Sequence, residues 1–281
     1  MASLTKFHTP IRLVVCDMDG TLFRGDKSIS EENRAAIRRA KEQGIRFSVC
    51  TGRIQPMTEY YLKDLQLDTP VITANGALIW DPVEKKTLWD LPMEEGEVLS
   101  IMEFCREHDL DYCALTMGKS YFSRDNVRKQ RFVQYNSIAA AHGFLPMELK
   151  EFDESFHCLK GKKVYKVLIY ETKEGHGSLA RTYLDTLKET GYTSSEDRLI
   201  DIAHRLVNKG YGLTKLAELL HIPLEAVCAM GDYDNDVPML KVSGFPVAMG
   251  NGCDSVKKAA AFITKTNEES GVAWAMNQFL D

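Results

Sequence analysis

The stretch Ile11-Arg12-Leu13-Val14-Val15-Cys16-Asp17-Met18-Asp19-Gly20-Thr21-Leu22 runs from an apolar segment straight into two carboxylates. Residues 11–16 are apolar at most positions and rich in β-branched side chains, the pattern of a strand buried in a parallel sheet. Asp17 and Asp19 then fall at the carboxyl end of that strand, where open α/β sheets bind ligands. With one residue between them, the two carboxylates can face one small volume. Left bare, they would repel and raise each other's pKa. A divalent cation removes the conflict, and a hard, oxygen-only donor set suits Mg2+. An Asp-rich turn after a strand would have the same residues and no function, so the rest of the chain has to decide.

Outward from this strand the pattern repeats. Ser30 caps a helix with Glu31 and Glu32 in its first turn and Ala36, Ile37 and Ala40 on its apolar face. A strand over 45–50 ends in Thr51-Gly52-Arg53. A helix marked by Met57, Tyr61, Leu62 and Leu65 leads to a short strand over 71–74. This β-α-β-α-β order predicts an α/β fold with a Rossmann-like, doubly wound parallel sheet.

Past the Asn75-Gly76 turn the rhythm changes. A hairpin is expected around Asp81-Pro82, with strands over 77–80 and 87–91. A helix carrying Val98, Ile101, Met102 and Cys105 follows, then strands over 112–117 and 121–122. A helix over 124–142, a strand over 164–170, a helix marked by Leu179 to Leu187 and closed by Gly191, and a strand over 198–203 complete an α+β insert. The βα rhythm returns where Asn208-Lys209-Gly210 opens a helix. A buried strand over 227–230 then ends in Gly231-Asp232-Tyr233-Asp234-Asn235-Asp236. The expected domains are a core of residues 1–82 and 205–281 and an insert of residues 83–204.

The bulk numbers exclude several classes. A chain of 281 residues with 44% hydrophobic and 27% charged residues is ordinary globular protein, long enough for one large or two smaller domains. Its net charge of -5 offers no electrostatic reason to bind nucleic acid or anionic membrane. The seven cysteines include no Cys-x-x-Cys pair, which points to free thiols in a reducing compartment. The first ten residues lack the apolar core of a signal peptide, and no apolar run approaches a membrane span. The expected location is the cytoplasm.

Four polar clusters stand at strand ends or helix starts: Asp17/Asp19, Thr51-Gly52, Lys209, and Asp232/Asn235/Asp236. Parallel strands bring such ends to one edge. Acidic groups from two strands make a cation site. A hydroxyl, a close backbone N–H and an ammonium are what a phosphate dianion needs. Together with a nucleophilic Asp they point to phosphoryl transfer through an aspartyl-phosphate. Each piece alone has a plainer reading: a solvated helix lysine, a turn, or a helix N-terminus with dipole-matched carboxylates.

Asp17-x-Asp19-Gly20-Thr21, Thr51-Gly52-Arg53, Lys209-Gly210 and Gly231-Asp232-x-x-Asn235-Asp236 resemble, in order, the four motifs of the haloacid dehalogenase superfamily. Asn75-Gly76-Ala77, Ala248-Met249-Gly250-Asn251 and Gly271-Val272-Ala273 are similar to its Cof-type sugar-phosphatase branch, and the insert resembles that branch's large α/β cap. Where family members often carry Pro and Gly before the lysine, this chain has His204 and Leu206. The resemblance implies that Asp17 is the nucleophile and Asp19 the general acid and then base. It implies Mg2+ held by Asp17, the backbone carbonyl of Asp19, and Asp232, with Asp236 steadying metal-bound water or Lys209. Thr51, Gly52, Lys209, Asn235 and the Met18 backbone N–H would hold the phosphoryl oxygens. The implied substrate is a small phosphate ester, such as a sugar, cofactor or pyrimidine-type phosphate. A phosphomutase of the same superfamily and a non-hydrolytic phospho-acceptor are the alternatives. The insert is expected to set the choice of leaving group. The sequence leaves oligomeric state open.

Overall fold

The computed structural model describes residues 9–281. Most of the N-terminal stretch read as lacking a signal peptide lies outside the described residues. In chain order the elements are β1 (Leu13–Cys16), α1 (Glu31–Glu42), β2 (Arg46–Val49), α2 (Glu59–Asp64), β3 (Val71–Thr73), β4 (Leu78–Asp81), β5 (Lys86–Asp90), α3 (Glu95–Glu107), β6 (Asp111–Leu115), β7 (Lys119–Phe122), α4 (Lys129–Ala141) and β8 (Glu148–Glu151). There follow β9 (Lys166–Tyr170), α5 (His176–Leu184), β10 (Thr190–Thr193), β11 (Leu199–His204), α6 (Lys209–Leu220), β12 (Val227–Gly231), α7 (Val237–Val242), β13 (Phe245–Ala248), α8 (Asp254–Ala259), β14 (Phe262–Ile263) and α9 (Gly271–Met276).

The chain divides into two compact units. One holds residues 9–52, Asp64–Leu88 and Asn208–Asp281; the other holds Arg53–Lys63 and Trp89–Val207. The first is an α/β unit around a five-stranded sheet of order β14-β13-β12-β1-β2. β1 is fully buried and pairs in parallel with β12 and β2. An apolar strand with no polar face can be satisfied only there, because helices cover both sides of a parallel sheet. Thr51 continues the edge, its N–H donating to the Ile72 carbonyl at 2.9 Å. α1 starts where expected: Ser30 accepts from the Asn33 N–H, with Glu31 and Glu32 in the first turn and Arg39 and Lys41 in the last, each matched to the helix dipole.

The second unit is α+β. Its six-stranded sheet has the order β10-β11-β9-β6-β7-β8, antiparallel except between β7 and β8. One face packs on α3 and α5 through Val98, Ile101, Met102, Cys105, Ala180 and Leu184. Residues 53–63 belong with this unit for a local reason. The Tyr135 hydroxyl on α4 donates to the Pro56 carbonyl at 2.5 Å, and the Tyr60 ring lies 4.1 Å from the His142 ring. The sequence reading of a helix closed by Gly191 is corrected: α5 ends at Leu184, and Gly191 lies within strand β10. The helix expected over 124–142 begins only at Lys129, because the Asn126 side chain and the Val127 N–H bond to Asp111 instead.

Candidate active site

The first unit's strand ends converge on a buried lysine. Lys209 opens α6, which Asn208 caps by accepting from the Tyr211 N–H at 2.9 Å. Its ammonium donates to Asp17 Oδ1 and to Asp236 Oδ1, each at 2.6 Å, and its side chain is 1% exposed. Asp17 stands just past β1 and Asp236 just past β12, so two neighbouring strands are tied through one helix start. Asp236 Oδ2 accepts the backbone N–H groups of Asp232 and Tyr233 at 2.8 and 3.0 Å. Asp232 in turn accepts from the Thr21 hydroxyl at 2.6 Å. Carboxylate oxygens of Asp17, Asp232 and Asp236 lie within 4.8 Å of one another.

Glycines make this density possible. Gly20 has φ of 84°, and a Cβ there would stand 2.3 Å from Asp232 Oδ2. A Cβ at Gly231 would stand 2.4 Å from the Asp236 Cβ. Any side chain at either position would push the carboxylates apart.

With all three carboxylates ionised against one ammonium, the group would carry an excess of two negative charges in a largely buried space. Burial first, and then the Asp236 charge, push the Asp232 carboxyl up to about 6. Burial also raises Asp17 well above the usual range, although the Lys209 charge opposes it. For Lys209, burial is outweighed by the Asp17 and Asp236 charges, and its pKa is raised, so it stays an ammonium. Burial drives the Cys16 and Cys50 thiols up as well, so neither is a nucleophile. The oxygen-only donors and the charge excess fit a divalent cation.

The other residues singled out in the sequence divide. Thr51 is buried at the end of β2, and its carbonyl accepts from the Asn75 N–H at 2.9 Å. Asn235 donates to the Asn75 side chain at 3.2 Å. Gly52 follows Thr51 and is partly exposed; Met18 is fully buried. The Asp19 carboxylate lies outside the acidic cluster. It pairs with Lys27 at 2.8 Å, both side chains being well exposed. Two residues carry more than their sequence signal suggested. Asn75 links the Thr51 and Asn235 loops, and its positive φ of 57° beside Gly76 is the trace of that. Thr21, noted only as part of a motif, fastens the first acidic loop to the second.

The profile of the haloacid dehalogenase-like hydrolase family matches residues 14–276. The chain belongs to that family. It is similar over 284 residues, at 30% identity and 99% of both chains, to the 5-amino-6-(5-phospho-D-ribitylamino)uracil phosphatase YcsE of Bacillus subtilis (strain 168). A second phosphatase of that description, YwtE from the same organism, is 31% identical over 96% of this chain and 98% of its own. Among solved structures, a haloacid dehalogenase-like hydrolase from B. subtilis matches with a TM-score of 0.83 and 27% identity, covering 95% of this chain and 99% of that one. Both curated relatives are described as phosphatases.

Proposed function

We propose that the protein is a Mg2+-dependent phosphatase that hydrolyses small phosphorylated metabolites through an aspartyl-phosphate on Asp17. The observation that carries this is the Lys209 ammonium bridging Asp17 and Asp236 beside Asp232, on the ligand-binding edge of a parallel sheet. Asp17 attacks phosphorus, Lys209 holds it in line, and the phosphoryl oxygens rest on Lys209, Thr51, Gly52, Asn235 and the Met18 N–H. Asp19 protonates the leaving alcohol and then takes a proton from the attacking water. Asp17, the Asp19 carbonyl and Asp232 would hold Mg2+, which when bound neutralises the charge excess and keeps Asp17 ionised. Asp236 has both oxygens engaged by Lys209 and by backbone N–H groups, which suits bracing the site. The α+β unit acts as a cap, expected from the sequence over residues 83–204, and selects the leaving group.

Three relatives bear the name of a ribitylamino-pyrimidine phosphate phosphatase, so that ester heads the substrates to try. The test is phosphate release with Mg2+ from a panel of that ester, hexose phosphates, flavin mononucleotide, pyridoxal phosphate and an aryl phosphate. Sustained release from at least one ester is expected. A single phosphorylation without turnover would mark a phospho-acceptor, and an isomerised ester without release would mark a mutase.

A further inference from the structure

The turn that carries Asp19 is held by residues from the far end of the chain. Its backbone reverses sharply: the Phe23 N–H donates to the Met18 carbonyl at 2.9 Å, and Gly20 takes a positive φ of 84°. Such a turn directs several carbonyls outward. Asn251 Nδ2 donates to the Gly20 carbonyl at 2.8 Å. Asn267 Nδ2 donates to the Phe23 carbonyl at 2.9 Å. The two asparagines are themselves joined, because the Asn267 N–H donates to Asn251 Oδ1 at 2.9 Å. Next to them, Glu268 Oε1 accepts the Gly25 N–H at 2.7 Å. Gly25 belongs to the loop from which Lys27 reaches the Asp19 carboxylate.

We infer that Asn251 and Asn267, helped by Glu268, form a positioning clamp for Asp19. Asp17 needs no such help. It follows a fully buried strand paired on both sides, and its own N–H is bonded to the Met230 carbonyl. Asp19 lies two residues past the strand, in a turn that is partly exposed at Asp19 and Gly20. General acid–base catalysis depends on placing the carboxyl within hydrogen-bond reach of the proton that moves. The clamp fixes the backbone from which Asp19 projects and the loop that supplies Lys27. The nucleophile is set by the sheet, and the acid–base group is set from outside it.

This inference rests on the acid–base role proposed for Asp19, so the experiment includes Asp19→Asn as a reference. Asn251→Ala, Asn267→Ala and the double variant are followed by pre-steady-state bursts on an aryl phosphate and by turnover of an alkyl phosphate, all with Mg2+. The aryl leaving group needs no proton, so its burst reads Asp17 and the groups that hold phosphate and Mg2+, without the Asp19 carboxyl. The clamp variants should keep the aryl burst. They should lose alkyl turnover by about 10–100-fold, the cost typical of misplacing a catalytic group by about an ångström, with KM little changed. Asp19→Asn should show the same split, more deeply. Clamp variants that match the native protein on both substrates would overturn the clamp. So would variants that lose burst and turnover equally, because that marks general damage to the site. If Asp19→Asn itself turned over alkyl phosphate normally, the acid–base role would be wrong and the clamp with it.

Discussion

Each of the two units has a buried lysine against aspartate, and the two sites differ in charge balance. In the α+β unit, Lys166 on β9 pairs with Asp201 on the adjacent strand β11, their side chains 5% and 1% exposed. Asp201 also accepts from the Ser195 hydroxyl at 2.6 Å. One ammonium faces one carboxylate, and the pair is neutral. In the α/β unit, Lys209 is shared between Asp17 and Asp236 with Asp232 close by, and the group carries excess negative charge. A neutral buried pair can be a structural device. A group that stays charged after pairing, with the Asp17 and Asp232 carboxyl pKa values raised, destabilises the fold unless something else binds there. On the function proposed above, this difference is what sets Lys209 apart from Lys166.

The largest expected effect separates the two directly. Asp17→Asn should abolish turnover and leave no phosphoenzyme burst, because no nucleophile remains. Lys166→Met combined with Asp201→Leu replaces the neutral pair by apolar groups and should leave the aryl phosphate burst in place. On stability the order inverts. Lys166→Met alone strands a buried carboxylate and should cost about 3–5 kcal/mol, whereas the double replacement should be close to neutral. Denaturant unfolding of the single and double variants checks this. A double variant as unstable as the single would mean that the pair is not the balanced device described.

A smaller effect follows from pH. Asp232 titrates near 6 in the folded protein, raised by burial and by Asp236, against about 3.9 for an unfolded aspartate. Between those values the folded state holds more protons than the unfolded state. The cluster's contribution to metal-free stability therefore falls as pH rises through that window. Cation binding needs the ionised carboxylates, so the gain in Tm from saturating Mg2+ should be larger at about pH 7.5 than at about pH 5. Thermal melts with and without Mg2+ at both pH values test it, and equal gains would contradict the charge argument.

The α/β unit was legible because its signals are local. Apolar strands run straight into their polar ends, and Asn208-Lys209-Gly210 carries a cap and a close-packed glycine in three residues. The α+β unit hid two strands. β8 is Glu-Leu-Lys-Glu, a charged edge held to β7 by backbone pairing, and it has no hydrophobic pattern to read. β10 contains the Gly191 that suggested a helix end. In the site, the carboxylates and Lys209 were readable as types, but their pairing was not, since Lys209 and Asp17 are 192 residues apart. The Asn251 and Asn267 contacts lie farther out of reach still. A lone asparagine in a polar loop carries no sequence mark of the carbonyl it will meet across 231 residues.

On the proposed function, the excess charge around Lys209 exists for a divalent cation that supports phosphoryl transfer. Its most direct test is phosphate release from an aryl phosphate by protein treated with excess chelator, before and after Mg2+ is restored. No turnover is expected in chelator and full recovery with Mg2+, with Asp232→Asn recovering poorly at the same Mg2+ concentration. Full activity in chelator, or an Asp232→Asn protein that responds to Mg2+ as the native one does, would contradict it.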